Sequence, residues 1–518
     1  MKNEAFEVEN EAVETSNVTF EMENEAFETS NVAPARLPSQ ATGPEQTEEQ
    51  MSEITLLWHD YETWGLNPRT DRPAQFAAVR TDLALEEVGD PLTFWCRLSS
   101  DTLPDPRAVL LTGITPQEAA RKGLHEADFF RRIEAALAQP GTCGVGYNSL
   151  RFDDEVTRFG FYRNFIDPYA REWQNNCSRW DIIDLLRTAH ALRPEGISWP
   201  EQDGCASFRL DLLAAANGIT HNAHEALSDV RATLELARLL RRLQPRLYDY
   251  CFSLRQKTEA AKLLNLSSQE IILHVSGMYP AAKGCIAPVM PLLQHPRNKN
   301  EIIVYDLRQP PQQLLALTPE EMAENLYARS EEQPEGFERL ALKGVHVNKS
   351  PVLAPLNVLR PELAAQWQID LRQAEQHREQ ILADKTLTQR LTALYQSRPD
   401  APPPDADAAL YEGLISDADR RLCNEVLMKS PAQLAAWQPP FTDERLRTLY
   451  FRYRARNWPE SLNAKEQAQW RHFCEARLLE GQFSNELTFA RYKQILEELI
   501  SSGAAEQQPE LFRLLADV

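Results

Sequence analysis

The chain has 518 residues and a formal charge of −21 at pH 7, with 43% hydrophobic and 25% charged residues. That length exceeds one ordinary core, so two or three domains are expected. No apolar stretch is long enough to span a bilayer, and the acidic N-terminus lacks the basic-then-apolar order of a secretion signal, so neither membrane insertion nor export is expected.

The charge opposes a role in binding polyanions until its location is considered. Residues 1–50 carry twelve glutamates against Lys2 and Arg36, a net of −10, so about half the excess lies in one tail. That tail repeats itself: Val8–Val18 (VENEAVETSNV) recurs at Met22–Val32 (MENEAFETSNV). A repetitive, acidic, weakly apolar segment followed by a Pro/Gln/Thr-rich stretch predicts disorder over 1–51. Met51, just before the first ordered-looking run, is a candidate start. The eight cysteines form no C-x-x-C pair, which argues against a zinc knuckle or disulfide framework and fits a reducing cytoplasm.

From Ile54 an apolar β-prone run, Ile-Thr-Leu-Leu-Trp, predicts a buried strand ending at His59-Asp60-Tyr61-Glu62. Further strands are predicted over Gln75–Arg80 and Leu92–Leu98. Helices follow over Pro116–Lys122, Glu126–Ala138, Trp180–Leu192, Leu210–Ala216 and His224–Leu243. Strands followed by alternating helices imply an α/β domain with a mixed sheet over 52–245. Runs at Glu270–Val275, Cys285–Leu292 and Glu301–Leu307, separated by Gly, Pro and Asn, imply a small β-rich domain over 246–356. From Pro361 the 3.6-residue pattern predicts an all-α C-terminal domain over 360–518.

Asp60 and Glu62 stand two apart at a strand end, so the pleat places both carboxylates on one side of the sheet. Two hard anionic donors emerging together suit Mg²⁺ or Mn²⁺, although a lone D-x-E is most often a solvated strand end. Gly146–Glu155 reads as a strand end, a polar turn and a helix start. Either Asp153 or Asp154 could add a third carboxylate there, or simply complement a helix dipole. His224-Glu225-Ala226-Leu227-Ser228-Asp229 leads into an apolar helix. Residues five apart do not share a helix face, so His224 is expected at the helix entrance and Asp229 within the helix.

These three pieces, Asp60-x-Glu62, Asn148-x-x-x-Phe152-Asp153 and His224-x-x-x-x-Asp229, resemble in order and spacing the motifs of the DEDDh exonucleases. Longer strings resemble the bacterial exonuclease I branch: HDYETWG at His59–Gly65, TGITPQEA at Thr112–Ala119, RFDDEVTRFGFYRNFIDPYA at Arg151–Ala170 and ALRPEGISWPE at Ala191–Glu201. The likeness continues through HVSGM, VHVNKSPVLAP and FRYRARNWP. It covers nearly everything after residue 52, while the acidic tail has no counterpart.

The resemblance implies a ribonuclease H-like exonuclease domain, an SH3-like β-rich domain and a helical C-terminal domain around single-stranded DNA. It implies 3′→5′ release of 5′-mononucleotides, in DNA repair and recombination. Two Mg²⁺ ions, or Mn²⁺ in their place, would be held by Asp60, Glu62, Asp153 and Asp229, and His224 would take the proton of the attacking water. Only the family pattern selects Asp153 over Asp154. In the same pattern Arg209 matches a substrate-contacting arginine, and Glu62 would also contact the terminal 3′-hydroxyl. The family docks onto the acidic tail of single-stranded-DNA-binding protein, and a cytoplasmic monomer is expected. Two cations about 4 Å apart suit phosphodiester hydrolysis, and a histidine with an ordinary pKa near 6.5 suits proton transfer at neutral pH.

Aromatic and basic residues interleave at Phe161-Tyr162-Arg163-Asn164-Phe165 and at Phe451–Trp458, either for stacking bases and gripping phosphates or as core with snorkelling arginines. The competing functions are an exoribonuclease of the same superfamily and a non-catalytic module that grips nucleic-acid ends. Four clustered carboxylates repel one another, and a module without catalysis has no need of them.

Overall fold

The computed structural model describes residues 54–221, 225–328, 337–396, 403–483 and 487–516. The acidic repeat, the 1–51 segment and His224 lie outside the described residues.

The first sheet has the order β3-β2-β1-β4-β5, with β1 Thr55–Thr63, β2 Pro73–Thr81, β3 Leu92–Trp95, β4 Thr142–Gly146 and β5 Ser178–Asp181. β2 runs antiparallel to both β1 and β3, whereas β4 is parallel to β1 and β5 is parallel to β4. The sheet is mixed, as expected. β1 is central and almost wholly buried, which explains its continuous apolar run rather than an alternating one. The 18-residue helix Ala226–Leu243 lies across β1 and β2, burying Val230, Leu234, Leu236 and Leu240 with Leu56, Trp58 and Val79.

The expected helix over Trp180–Leu192 needs correction at its start. Trp180 and Asp181 belong to β5, paired with Val145 and Gly146, and the helix begins at Ile183. Trp180 is 1% exposed and packs against Tyr248 and Phe252, so an apolar residue that suited a helix face instead fills a sheet.

A second five-stranded sheet is antiparallel throughout, in the order Leu342–His346, Glu301–Asp306, Ile286–Gln294, Ile272–Val275, Val352–Pro355. Alternate residues serve opposite faces. Ile302 and Val304 join one cluster with Val289, Val345 and Leu353, while Ile303 and Tyr305 join another with Ile381, Leu391 and Leu394 of the following helices.

The C-terminal helices complete the first domain's core. Phe159, Tyr162 and Phe165 share one apolar cluster with Tyr411, Val426, Leu449 and Tyr453. Trp64, two residues past Glu62, packs with Leu478, Tyr492 and Leu515. Beneath these contacts lies a buried ionic network. Arg456 bonds Asp101 at 2.8 Å and Asp407 at 2.5 Å, and Arg477 bonds the same two carboxylates at 3.1 and 3.0 Å. Arg452 and Arg72 reach Asp407 at 3.1 and 3.4 Å.

Both aromatic and basic stretches therefore resolve as core. Phe161, Tyr162, Arg163, Asn164 and Phe165 are buried, as are Arg452, Tyr453 and Arg454. The arginines of Phe451–Trp458 serve Asp405, Asp407, Asp101 and Glu466. All eight cysteines are free, and no described helix is long and apolar enough to cross a membrane.

Burial alone would raise the Asp101 and Asp407 carboxyls, but the surrounding guanidiniums overcome it and hold both below the usual range. A depressed carboxyl contributes stability at neutral pH and loses it as the pH falls through its folded value. Replacing Asp407, which is 1% exposed, leaves several guanidiniums uncompensated. Asp407→Ala is expected to lower stability by roughly 3–5 kcal/mol in urea unfolding at pH 7, with a smaller difference in acid.

Candidate active site

The site is built at the C-terminal end of β1. Asp60 pairs in register with Ala77 and Glu62 with Gln75, so both carboxylates leave the same face of the central strand. Asp229 comes from the first turn of Ala226–Leu243. Ligand oxygens of Asp60, Glu62 and Asp229 all lie within 4.8 Å of one another.

That closeness has an electrostatic cost. Burial, followed by the charges of Asp153, Glu62 and Asp229, pushes the Asp60 carboxyl well above its ordinary value. Glu62 is pushed up to about 8 by burial and then by Asp229 and Asp153. A donor set made only of carboxylate oxygens, crowded and desolvated, fits a hard divalent cation.

Asp153 and Asp154 have different surroundings in the structure. Both are buried at the start of the helix Asp153–Arg163. Asp154 accepts from Arg171 at 2.5 Å and from Arg179 at 3.1 Å. Burial would raise its carboxyl, but these guanidiniums hold it below the ordinary range. Asp153 has another partner: its Oδ1 accepts at 3.1 Å the backbone N–H of Tyr61, the residue between Asp60 and Glu62. Burial and Asp154 raise it well above its usual value. It lies beside the three-carboxylate set rather than within it.

Arg209 stands just before the helix Leu210–Ala216, where Asp211 engages its guanidinium at 3.1 and 2.8 Å. Its neighbour Phe208 accepts the Tyr147 hydroxyl at 2.6 Å, tying this segment to the turn before Asp153. His224 lies outside the described residues. Sequence reasoning passed over His221, whose Nε2 sits 2.5 Å from Asp229 Oδ1. Its only sequence signal was a second histidine shortly before Asp229.

Residues 57–237 match the family described as Exonuclease, 255–397 the Exonuclease I SH3-like domain and 404–518 the Exonuclease I C-terminal domain. The chain is 46% identical over 419 residues to exodeoxyribonuclease I of Escherichia coli (strain K12), covering 80% of this chain and 88% of that protein. The chain belongs to the exodeoxyribonuclease I family.

Solved members of the family share the whole architecture. Exonuclease I of Methylocaldum szegediense, described as moderately thermophilic, superposes with a TM-score of 0.85 at 45% identity over 90% of this chain and 98% of that one. The zinc-bound complex of Escherichia coli exonuclease I with single-stranded DNA gives 0.85 at 41% identity, over 90% and 98% of the two chains.

The raised Glu62 carboxyl carries a prediction of definite sign. A carboxyl whose folded pKa exceeds its unfolded value binds its proton more tightly when folded, so stability declines as pH rises through that window. For Glu62 the window runs from its ordinary value of 4.5 to about 8. In the presence of chelator, Glu62→Gln is expected to raise the thermal midpoint at pH 8 and to change it little at pH 4.5. Parallel thermal scans at the two pH values measure this.

Proposed function

We infer that this exonuclease removes 5′-mononucleotides stepwise from the 3′ end of single-stranded DNA, using two Mg²⁺ ions held by Asp60, Glu62, Asp153 and Asp229. The observation that carries the reading is the convergence of three carboxylates at the end of β1, in a chain whose three domains all match those of exodeoxyribonuclease I.

Asp60, Glu62 and Asp229 supply oxygen donors suited to Mg²⁺, with Mn²⁺ as a substitute, and Asp153 completes the second position. Cations bound there supply charge neutralisation and Lewis-acid polarisation to the phosphodiester. The chain's own groups do the rest. His224 accepts the proton of the attacking water. Glu62 and Arg209 hold the terminal nucleotide, and Arg209 shares or exchanges its fork with Asp211 as DNA enters. His221 steadies the Asp229 carboxylate through its contact with Oδ1.

The enzyme's setting is the cytoplasm, in DNA repair and recombination. Its further partner is the acidic tail of single-stranded-DNA-binding protein, bound by basic residues of the last two domains. A pull-down with a peptide of that tail, which should retain this chain, tests the partner. Light scattering on the purified chain, expected to give one chain's mass, tests the monomer.

Incubation with 5′-labelled single-stranded DNA, duplex DNA and RNA, with Mg²⁺ or with EDTA, tests the activity. A ladder of 3′-shortened single-stranded DNA is expected with Mg²⁺. No shortening is expected in EDTA or with Asp60→Ala, and His224→Ala should slow the reaction by roughly 10²–10⁴-fold. Intact single-stranded DNA in Mg²⁺ would overturn the reading, and faster loss of RNA would make the chain an exoribonuclease.

A further inference from the structure

β5 ends at Asp181, paired in register with Gly146 at the end of β4. The turn that follows β4, residues 147–152, leads into the helix headed by Asp153. Asp181 is 7% exposed and its carboxylate is directed into that turn. Its Oδ1 accepts the backbone N–H of Asn148 at 2.8 Å, and its Oδ2 accepts that of Leu150 at 3.2 Å. Oδ1 also accepts the N–H of Ile183 at 3.0 Å, at the start of the next helix.

Within the turn Asn148 sits in the left-handed region at φ +58°, a conformation that Asn tolerates better than most L-residues and that reverses the chain sharply here. Charge-assisted bonds from a buried carboxylate to backbone N–H groups are the stronger kind. At the far end of the turn, Asp154 N–H bonds Ser149 carbonyl at 2.8 Å, closing the path that delivers Asp153 to Tyr61 N–H. A plain helix-capping role would account for the Ile183 contact and leave those to Asn148 and Leu150 unexplained.

We propose that Asp181 is a positioning residue for this active site: by gripping the 147–152 turn it sets where Asp153 presents its carboxylate, and so how tightly the second cation is held. The inference rests on the reading of Asp153 as a metal-holding residue. Removing an outer-sphere support of this kind typically costs about 10–100-fold in metal affinity or activity.

The test measures the Mg²⁺ dependence of kcat on single-stranded DNA, together with the thermal midpoint, for the full chain and for Asp181→Ala, Asp181→Asn and Asp153→Asn. Asp181→Ala is expected to raise the Mg²⁺ concentration at half-maximal rate by about tenfold or more. Asp181→Asn keeps one acceptor oxygen but turns an amide N–H toward that of Leu150, so a smaller rise in the same direction is expected. A lower thermal midpoint with an unmoved Mg²⁺ midpoint would show a purely structural residue and overturn the proposal. If Asp181→Ala does not fold, Asp181→Asn decides on the same criterion. Full activity in Asp153→Asn would instead remove the underlying reading of Asp153. An inactive Asp153→Asn beside an unmoved Asp181 series would overturn only the present inference.

Discussion

Repulsion among carboxylates at the end of β1 is the constraint around which the first domain is arranged. Asp60, Glu62 and Asp229 hold oxygens within 4.8 Å of one another, and burial together with mutual charge raises the first two well above their ordinary range. Left to themselves, such groups would swing apart or draw in water. They stay because each is mounted on an element fixed by something else. β1 is the buried centre of a five-stranded sheet, and Ala226–Leu243 is packed along an apolar face. The local instability is thus offset by burial elsewhere, as expected where function and stability pull in opposite directions.

Neutralisation is distributed with some economy around this centre. Asp154, one residue from Asp153, is matched by Arg171 and Arg179, and Glu172 beside them is matched by Arg158 and Arg179. Among the described residues Asp153 receives backbone N–H support, from Tyr61, and its carboxyl stays raised. Adjacent residues of the same type are therefore separated in role by what surrounds them. One is an anion with guanidinium partners, and the other is a carboxyl whose charged form lacks a partner of opposite sign.

Much of this was legible in the residues themselves, for identifiable reasons. The D-x-E pair was readable because the side-chain period of a strand is two, and β1 carries Asp60 and Glu62 on one face as that period requires. The helices Pro116–Lys122 and Leu210–Ala216 were readable because flanking Pro, Thr and Asn mark their ends. Choices that depend on tertiary partners were not readable. Trp180 fits a helix face or a strand equally well until Tyr248 and Phe252 pack against it. Spacing alone does not separate Asp153 from Asp154, and the guanidiniums that set Asp154 apart, Arg171 and Arg179, arrive from elsewhere in the chain. The arginines of Phe451–Trp458 looked equally suited to phosphate and to core because nothing in the stretch shows its carboxylate partners, which range from Glu466 on the next helix to Asp101, hundreds of residues away.

Those distant partners also tie the C-terminal helices to the chemistry. The connection between β1 and β2 begins just after Glu62 and returns at Arg72. At one end Trp64 is wedged among Leu478, Tyr492 and Leu515, and at the other Arg72 reaches Asp407 at 3.4 Å. Between them Trp64 N–H bonds the Arg72 carbonyl at 2.9 Å, closing the loop on itself. Both ends of the loop are therefore fixed by a domain that contributes none of the carboxylates. Because β1 and β2 carry the register that aligns Asp60 and Glu62, a shift of the C-terminal helices would act on the strand that carries this carboxylate pair. The helical domain is in this sense a brace for the β1–β2 hairpin. Its buried arginines, which in the sequence resembled a grip on DNA, pair with the chain's own carboxylates, Asp407 among them, which also meets Arg72 just before β2.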